Sequence, residues 1–225
     1  REASAIINIE TSDKDKFVEE ITRIESQEKN ENQSKEKNLS IKASLTSDCG
    51  NSVFDNDSTE RVLSFLTLLP NGVIAMSADI EGLVETSLNV GILETTANEV
   101  VASSAIRSAI ETAKHKVNLE VETLTKLLGG FIQTHGEYPG WQFNPDSKLR
   151  SEMVRIYKEL FGKDVKVEAL HAGLECGIMI SKIPGLDCVS FGPDIFDIHT
   201  TEERLSILST ARMWDYLLAI LKQKE

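Results

Sequence analysis

Apolar positions along this chain change their period several times, and each change predicts an element. Residues 3–10 alternate toward apolar and β-branched types, the mark of a strand, and Asp13 then opens a helical spacing carried by Phe17, Ile21 and Ile24. Residues 27–38 hold no apolar side chain, so they are either an exposed helix end or a mobile connection. Period two returns over residues 39–46, where Leu39, Ile41, Ala43 and Leu45 share one side of a half-buried strand. The apolar run at 62–69 ends at Pro70-Asn71-Gly72, a helix stop. Residues 83–94 and 99–110 are rich in Val, Ile, Thr and Ser and flank the polar stretch 95–98, which predicts a β-hairpin. In residues 113–128, Val117, Leu119, Val121, Leu124, Leu127 and Leu128 fall mostly on one helical face ahead of Gly129-Gly130. An antiparallel sheet covered by helices is expected for the first 137 residues.

Around HGEYPGWQFNPDS at 135–147 the periodicity stops and glycine, proline and aromatics concentrate, which places a domain boundary. The expected domains are 1–137 and 138–225. Asp146 or Ser147 caps the next helix, which carries Leu149, Met153, Ile156, Tyr157 and Leu160 and stops at Gly162. Short strands at 165–170 and 187–191, a short helix at 176–180 between them and a long helix at 202–222 complete an α/β layer. Alone, such a piece has a thin core, so it is expected to complete a sheet whose other strands lie elsewhere.

The 225-residue length allows one large or two small domains, and the apolar share of 40% is enough for a packed core. The 24 basic residues are scattered among 36 acidic ones, for a net charge of −12, which argues against nucleic acid as a partner. No apolar run is long enough for a membrane span and REASAIINIE lacks the layout of a signal peptide, so a cytoplasmic chain is expected. Cys49, Cys176 and Cys188 form no CxxC pair and are odd in number, so buried free thiols are the default reading. A start without Met on a strand-like segment is expected of a fragment.

Candidate chemistry gathers between His171 and His199. Each histidine follows a predicted strand, where α/β sheets collect ligands, and His199 is expected to stand directly before a helix starting at Thr200 or Thr201. His199 is either a metal ligand or a residue whose imidazole meets a backbone carbonyl at a helix start. Gly173 can expose its backbone, and Glu175 is either a pocket carboxylate or an acid favoured in a first helical turn. Arg107, with uncharged flanks, suits bidentate carboxylate recognition or a structural ion pair. His115 reads as a surface helix residue and His135 as part of the boundary turn. The absence of P-loop, GxGxxG, GxSxG, HExxH and EF-hand patterns removes several large enzyme classes.

Four stretches together resemble one family. VETSLNVG at 84–91, YPGW at 138–141, HAGLECG at 171–177, and VSFGP at 189–193 followed after five residues by His199 are similar to the C-terminal half of bacterial aminoacyl-histidine dipeptidases. These are also called Xaa-His or cytosolic non-specific dipeptidases, and they form part of the co-catalytic dizinc metallopeptidase group with carnosinases and aminoacylases. The resemblance implies an α/β protein with two parts. One is an α+β lid or dimerisation domain with an antiparallel sheet over 1–137; the other, 138–225, is the C-terminal portion of an α/β zinc-peptidase catalytic domain.

It further implies that His199 is a zinc ligand and that Asn89, Arg107, His171, Gly173 and Glu175 line the dipeptide site. Two zinc ions per full-length subunit, or other divalent metals, would activate a bridging water there. Where relatives carry His-Ser-Pro, this chain has His199-Thr200-Thr201, so the proline is lost. The family's His-x-Asp motif, bridging Asp, catalytic Glu and lid Gly-Gly-His-Ser-Gly are not found in the 225 residues. The expected partners are a dipeptide, a second copy paired through the lid, and the missing N-terminal catalytic segment, with no nucleic acid or membrane. Alone, the chain is expected to lack peptidase activity and to hold no metal tightly. The alternative is a non-catalytic dimerisation or small-ligand-binding module derived from the same family.

Overall fold

The computed structural model describes residues 2–46, 53–171 and 174–223. Their contacts divide the chain into two units, Arg1–Glu60 and Arg61–Glu225.

In the first unit α1 (Lys14–Asn32) follows a short 3-10 turn at Thr11–Asp13. The apolar-free stretch is thus a helix end in its first part, held by pairs spaced four apart such as Lys29 with Glu25 at 2.7 Å. Neither strand expected here forms: residues 3–10 and 39–46 have no ladder partner among the described residues. Alternation alone does not make a strand, because the backbone N–H and C=O groups need a neighbour to bond to. Ile41 shows the substitute, its N–H donating to a Glu25 carboxylate oxygen at 3.3 Å.

The second unit has two cores. The first lies under a three-stranded antiparallel sheet in the order β1 (Gly72–Met76), β2 (Val84–Thr95), β3 (Val100–Ser108). The hairpin of β2 and β3 is the expected one. The first strand was not foreseen, being a short apolar run straight after a helix stop. One face of β2 presents Thr86, Leu88 and Val90 to α3 (Glu111–Leu127), where Leu88, Val117, Val121 and Leu69 are buried with Phe65 of α2 (Asn56–Leu68) against them. Strand alternation therefore puts Ser87 and Asn89 on the opposite face, and pairing sets Arg107 of β3 directly across from Ser87.

The second core joins α4 (Lys148–Phe161) to α6 (Ile207–Lys222). Ser147 is the N-cap of α4, accepting from the Arg150 N–H at 3.0 Å, and Gly162 ends the helix in the left-handed region at φ 64°. Met153, Ile156 and Tyr216 are buried between the helices, and the Tyr216 hydroxyl donates to the Met153 carbonyl at 2.7 Å. Val189 packs on this core, and the Phe191 ring meets Tyr216 edge-on at 5.3 Å.

Three expectations for the C-terminal part are corrected. Residues 165–170 and 187–191 run without strand pairing among the described residues, and Leu170 is left 68% exposed. The short helix is α5 (Glu175–Lys182), which starts one residue earlier and ends two residues later than its apolar stretch. The last helix starts at Ile207 rather than near 202, because a two-stranded ribbon, β4 (Ile195–Phe196) with β5 (Arg204–Leu205), occupies the residues before it. Ser206 supplies the N-cap, accepting from the Ser209 N–H at 3.2 Å, so the helix begins where an oxygen can take up its first free donors. Cys176 and Cys188 are free thiols, partly buried, while Cys49 lies outside the described residues. No helix among the described residues is long and apolar enough to cross a membrane.

Candidate functional site

Three segments converge where the YPGW stretch crosses the molecule. Gly140 sits so close to the exit of β3 that a Cβ there would stand 2.5 Å from the Ala109 carbonyl oxygen. Gly177 of α5 approaches the same stretch from the other direction, its own Cβ position 2.8 Å from the Pro139 oxygen. Only glycine lets the three backbones stack this tightly. Polar contacts then fasten the stack: the Gly140 N–H donates to a Glu111 carboxylate oxygen at 3.1 Å, and Lys114 Nζ donates to the Tyr138 carbonyl at 2.7 Å. Glu111 also pairs with Lys114 at 2.8 Å; its carboxyl is held below the usual range, chiefly by that hydrogen bond.

This crossing forms one wall of an open cleft that encloses about 80 Å³, smaller than the usual small-molecule site. Arg107, His171, Lys114, Asp79 and Glu85 bring charge or a titratable ring to its lining, and Tyr138 and Trp141 bring aromatic surface. The His171 Nε2 and Ser87 Oγ are 2.7 Å apart. Burial pushes the imidazole pKa below its ordinary value, and the Arg107 guanidinium lowers it further, so the neutral ring is favoured.

Of the residues expected in a ligand site, Arg107 and His171 share this cleft. Asn89 lies on the same sheet face, two residues beyond Ser87 and opposite Ala105, but does not line the cleft. Glu175 is the exposed first residue of α5, as a helix-start acid would be, and is not among the lining residues. Gly173 lies outside the described residues.

His199 departs most from expectation. It does not precede a helix but stands in the turn between β4 and β5, in the left-handed region at φ 65°. The turn is stabilised around it: the His199 N–H donates to a Glu203 carboxylate oxygen at 2.8 Å, Thr200 Oγ1 donates to the Asp197 carbonyl at 2.7 Å, and Arg204 pairs with Asp197. The backbone is thus bonded while the side chain is exposed and makes no hydrogen bond among the described residues. The described residues contain no group of three or more His, Cys, Asp or Glu able to hold a metal ion. A zinc site takes more than one imidazole, so these residues do not by themselves make one.

Tyr138, Lys114 and Trp141 were missed as cleft residues, and Ser87 as the partner of His171. Ser87 and the aromatics stand inside the motifs VETSLNVG and YPGW, but their convergence depends on the hairpin register and on the glycine crossing.

Comparison with known proteins first defines a class. The fold matches two solved peptidases: an aminoacylhistidine dipeptidase from Vibrio alginolyticus, with TM-score 0.81 and 32% identity over 94% of this chain and 43% of that one, and the aminopeptidase PepT from Bacillus cereus. The latter, at TM-score 0.56 and 20% identity over 72% of this chain and 44% of that one, shares the fold alone. No family model matches the sequence. The cytosol non-specific dipeptidase of Escherichia coli K12 is 35% identical over 224 residues, covering 99% of this chain and 46% of the relative. Sequence and fold together relate the chain to the C-terminal half of the aminoacylhistidine, or cytosol non-specific, dipeptidases. The chain spans about half the length of the curated relative it matches.

Proposed function

We propose that this chain supplies the ligand-binding sheet and one metal-ligating arm of a cytoplasmic metallo-dipeptidase. The observation that supports the reading best is the 35% identity to a dipeptidase along 99% of the chain. The cleft agrees with it: a guanidinium beside a neutral imidazole, with an aromatic wall, suits a short peptide bearing a carboxylate. In this reading Arg107 takes the carboxylate and His171 binds a polar group of the peptide from the same side. The boundary near 137 separates the lid part, through which two copies pair, from the catalytic part.

His199 contributes an imidazole to a zinc site whose other ligands come from a segment beyond these 225 residues. The exposed turn fits that role, since its backbone is bonded within the ribbon while the ring stays open to a ligand. Two zinc ions, or other divalent metals, belong to the complete subunit.

The reading is tested on the chain alone and joined to the remainder of its reading frame. The chain alone is expected to bind zinc weakly and to turn over no dipeptide; the joined protein is expected to hydrolyse dipeptides and to lose most of that activity in His199→Ala. Tight stoichiometric zinc in the chelator-washed chain, or unchanged turnover in the variant, overturns it. A reading frame that starts at Arg1 and a chain that still pairs or binds peptide would favour the non-catalytic module instead.

A further inference from the structure

Ser87 makes a contact that the sheet does not require. Its neighbours Thr86 and Leu88 are buried on the α3 side, and Thr86 Oγ1 is already bonded to Ser108 Oγ at 2.9 Å. Ser87 faces the other way, 84 residues from His171 in sequence yet 2.7 Å from its Nε2. Its partner in the ladder is Arg107, which also lines the cleft with His171. One pair of facing strand positions thus brings a hydroxyl and a guanidinium to the same imidazole.

We propose that Ser87 is the positioning residue of His171, a hydroxyl on the sheet that holds the ring in one orientation and one tautomer beside Arg107, with Nδ1 left to meet the ligand. A serine hydroxyl can donate to Nε2 or accept from it, so the contact commits that nitrogen and fixes the ring's orientation, and the role the hydroxyl takes sets where the ring proton resides. The neighbouring guanidinium disfavours a second positive charge, so the ring meets an anionic ligand as a neutral hydrogen-bonding group and leaves the charge to Arg107. The ligand chemistry rests on the dipeptidase reading above, while the tautomer does not.

Nitrogen NMR of the chain labelled at histidine separates the two. His171 is assigned by His171→Gln, and its two ring nitrogens are expected to show one tautomer in excess by about tenfold, as a single hydrogen bond supplies. Ser87→Ala should bring the two forms to within about threefold, and Ser87→Thr, which keeps the hydroxyl, should restore the excess. If Ser87→Ala fails to fold, Ser87→Cys, with a weak donor of similar size, should give an intermediate ratio. Equal tautomers in the unsubstituted chain, or a ratio unchanged in Ser87→Ala, overturns the proposal. Titration with a dipeptide in the same samples reads the ligand separately. Tautomers that respond to Ser87 without any dipeptide binding sink the substrate reading alone, and binding that depends on Arg107 with tautomers indifferent to Ser87 sinks the positioning role alone.

Discussion

The sheet of β1–β3 with α3 and the segment from 165 to 206 are built on opposite terms. The sheet pairs its strands, buries Leu88 completely and closes its core with Val117 and Val121. The later segment holds His171, Glu175 and His199, yet its stretches 165–170 and 187–191 have no ladder partner among the described residues, and Leu170 stands 68% exposed. Where backbone and side chains satisfy one another locally, a region carries its own stability. Where chemistry-bearing residues are presented on extended chain and turns, the order comes from a few anchors, here Val189 and Phe191 on the α4–α6 core.

The largest effect that probes this contrast comes from two truncations. Leu88→Ala is expected to destabilise the chain by about 2–5 kcal/mol, read as a lowered melting temperature, while Leu170→Ala should change it by less than about 0.5 kcal/mol. Equal losses would erase the distinction. Next comes the crossing that ties the regions together: Gly140→Ala forces a methyl against the Ala109 carbonyl and is expected to cost about 1–3 kcal/mol while weakening ligand binding in the cleft.

A smaller, pH-dependent effect falls on the start of α4. Burial would raise the Asp187 carboxyl, but the N–H groups of Leu149 and Lys148 and the Ser147 hydroxyl outweigh it, so the group is held below its ordinary value. A carboxyl depressed in the folded state stabilises above its unfolded pKa of about 3.9 and loses that contribution as pH falls through the folded value. Asp187→Asn is therefore expected to flatten the acid limb of thermal stability below about pH 4, and an unchanged limb would remove Asp187 as an anchor. The smallest effect is expected at His199→Ala. The side chain is exposed, so melting should shift by no more than about 0.5 kcal/mol even where activity of the joined protein is lost.

How much was legible in the sequence varies with the range of the interaction. The hairpin, α3 and α4 could be read because their signals are local: β-branched alternation around polar residues, a one-sided helical stripe, a serine cap and a left-handed glycine stop. Residues 3–10, 39–46 and 165–170 carry similar alternation but no neighbour to pair with, and a strand is a relation between segments rather than a property of one. The start of α6 was misplaced for a related reason, since Glu202 and Glu203 look like first-turn acids while the β4–β5 ribbon claims them for its turn.

The sequence by itself determined the elements whose bonds close within a few residues, and it marked Asn89, Arg107, His171, Gly173, Glu175 and His199 as the residues to watch. Only the tertiary structure decided that Ser87 faces Arg107 and reaches His171, that Gly140 and Gly177 let three backbones stack, and that His199 stands in a ribbon turn. The physical reason is distance along the chain. Capping and periodicity act over one or two turns of backbone, whereas a strand register and a glycine crossing join residues tens of positions apart, and nothing local in the sequence records which of them will meet.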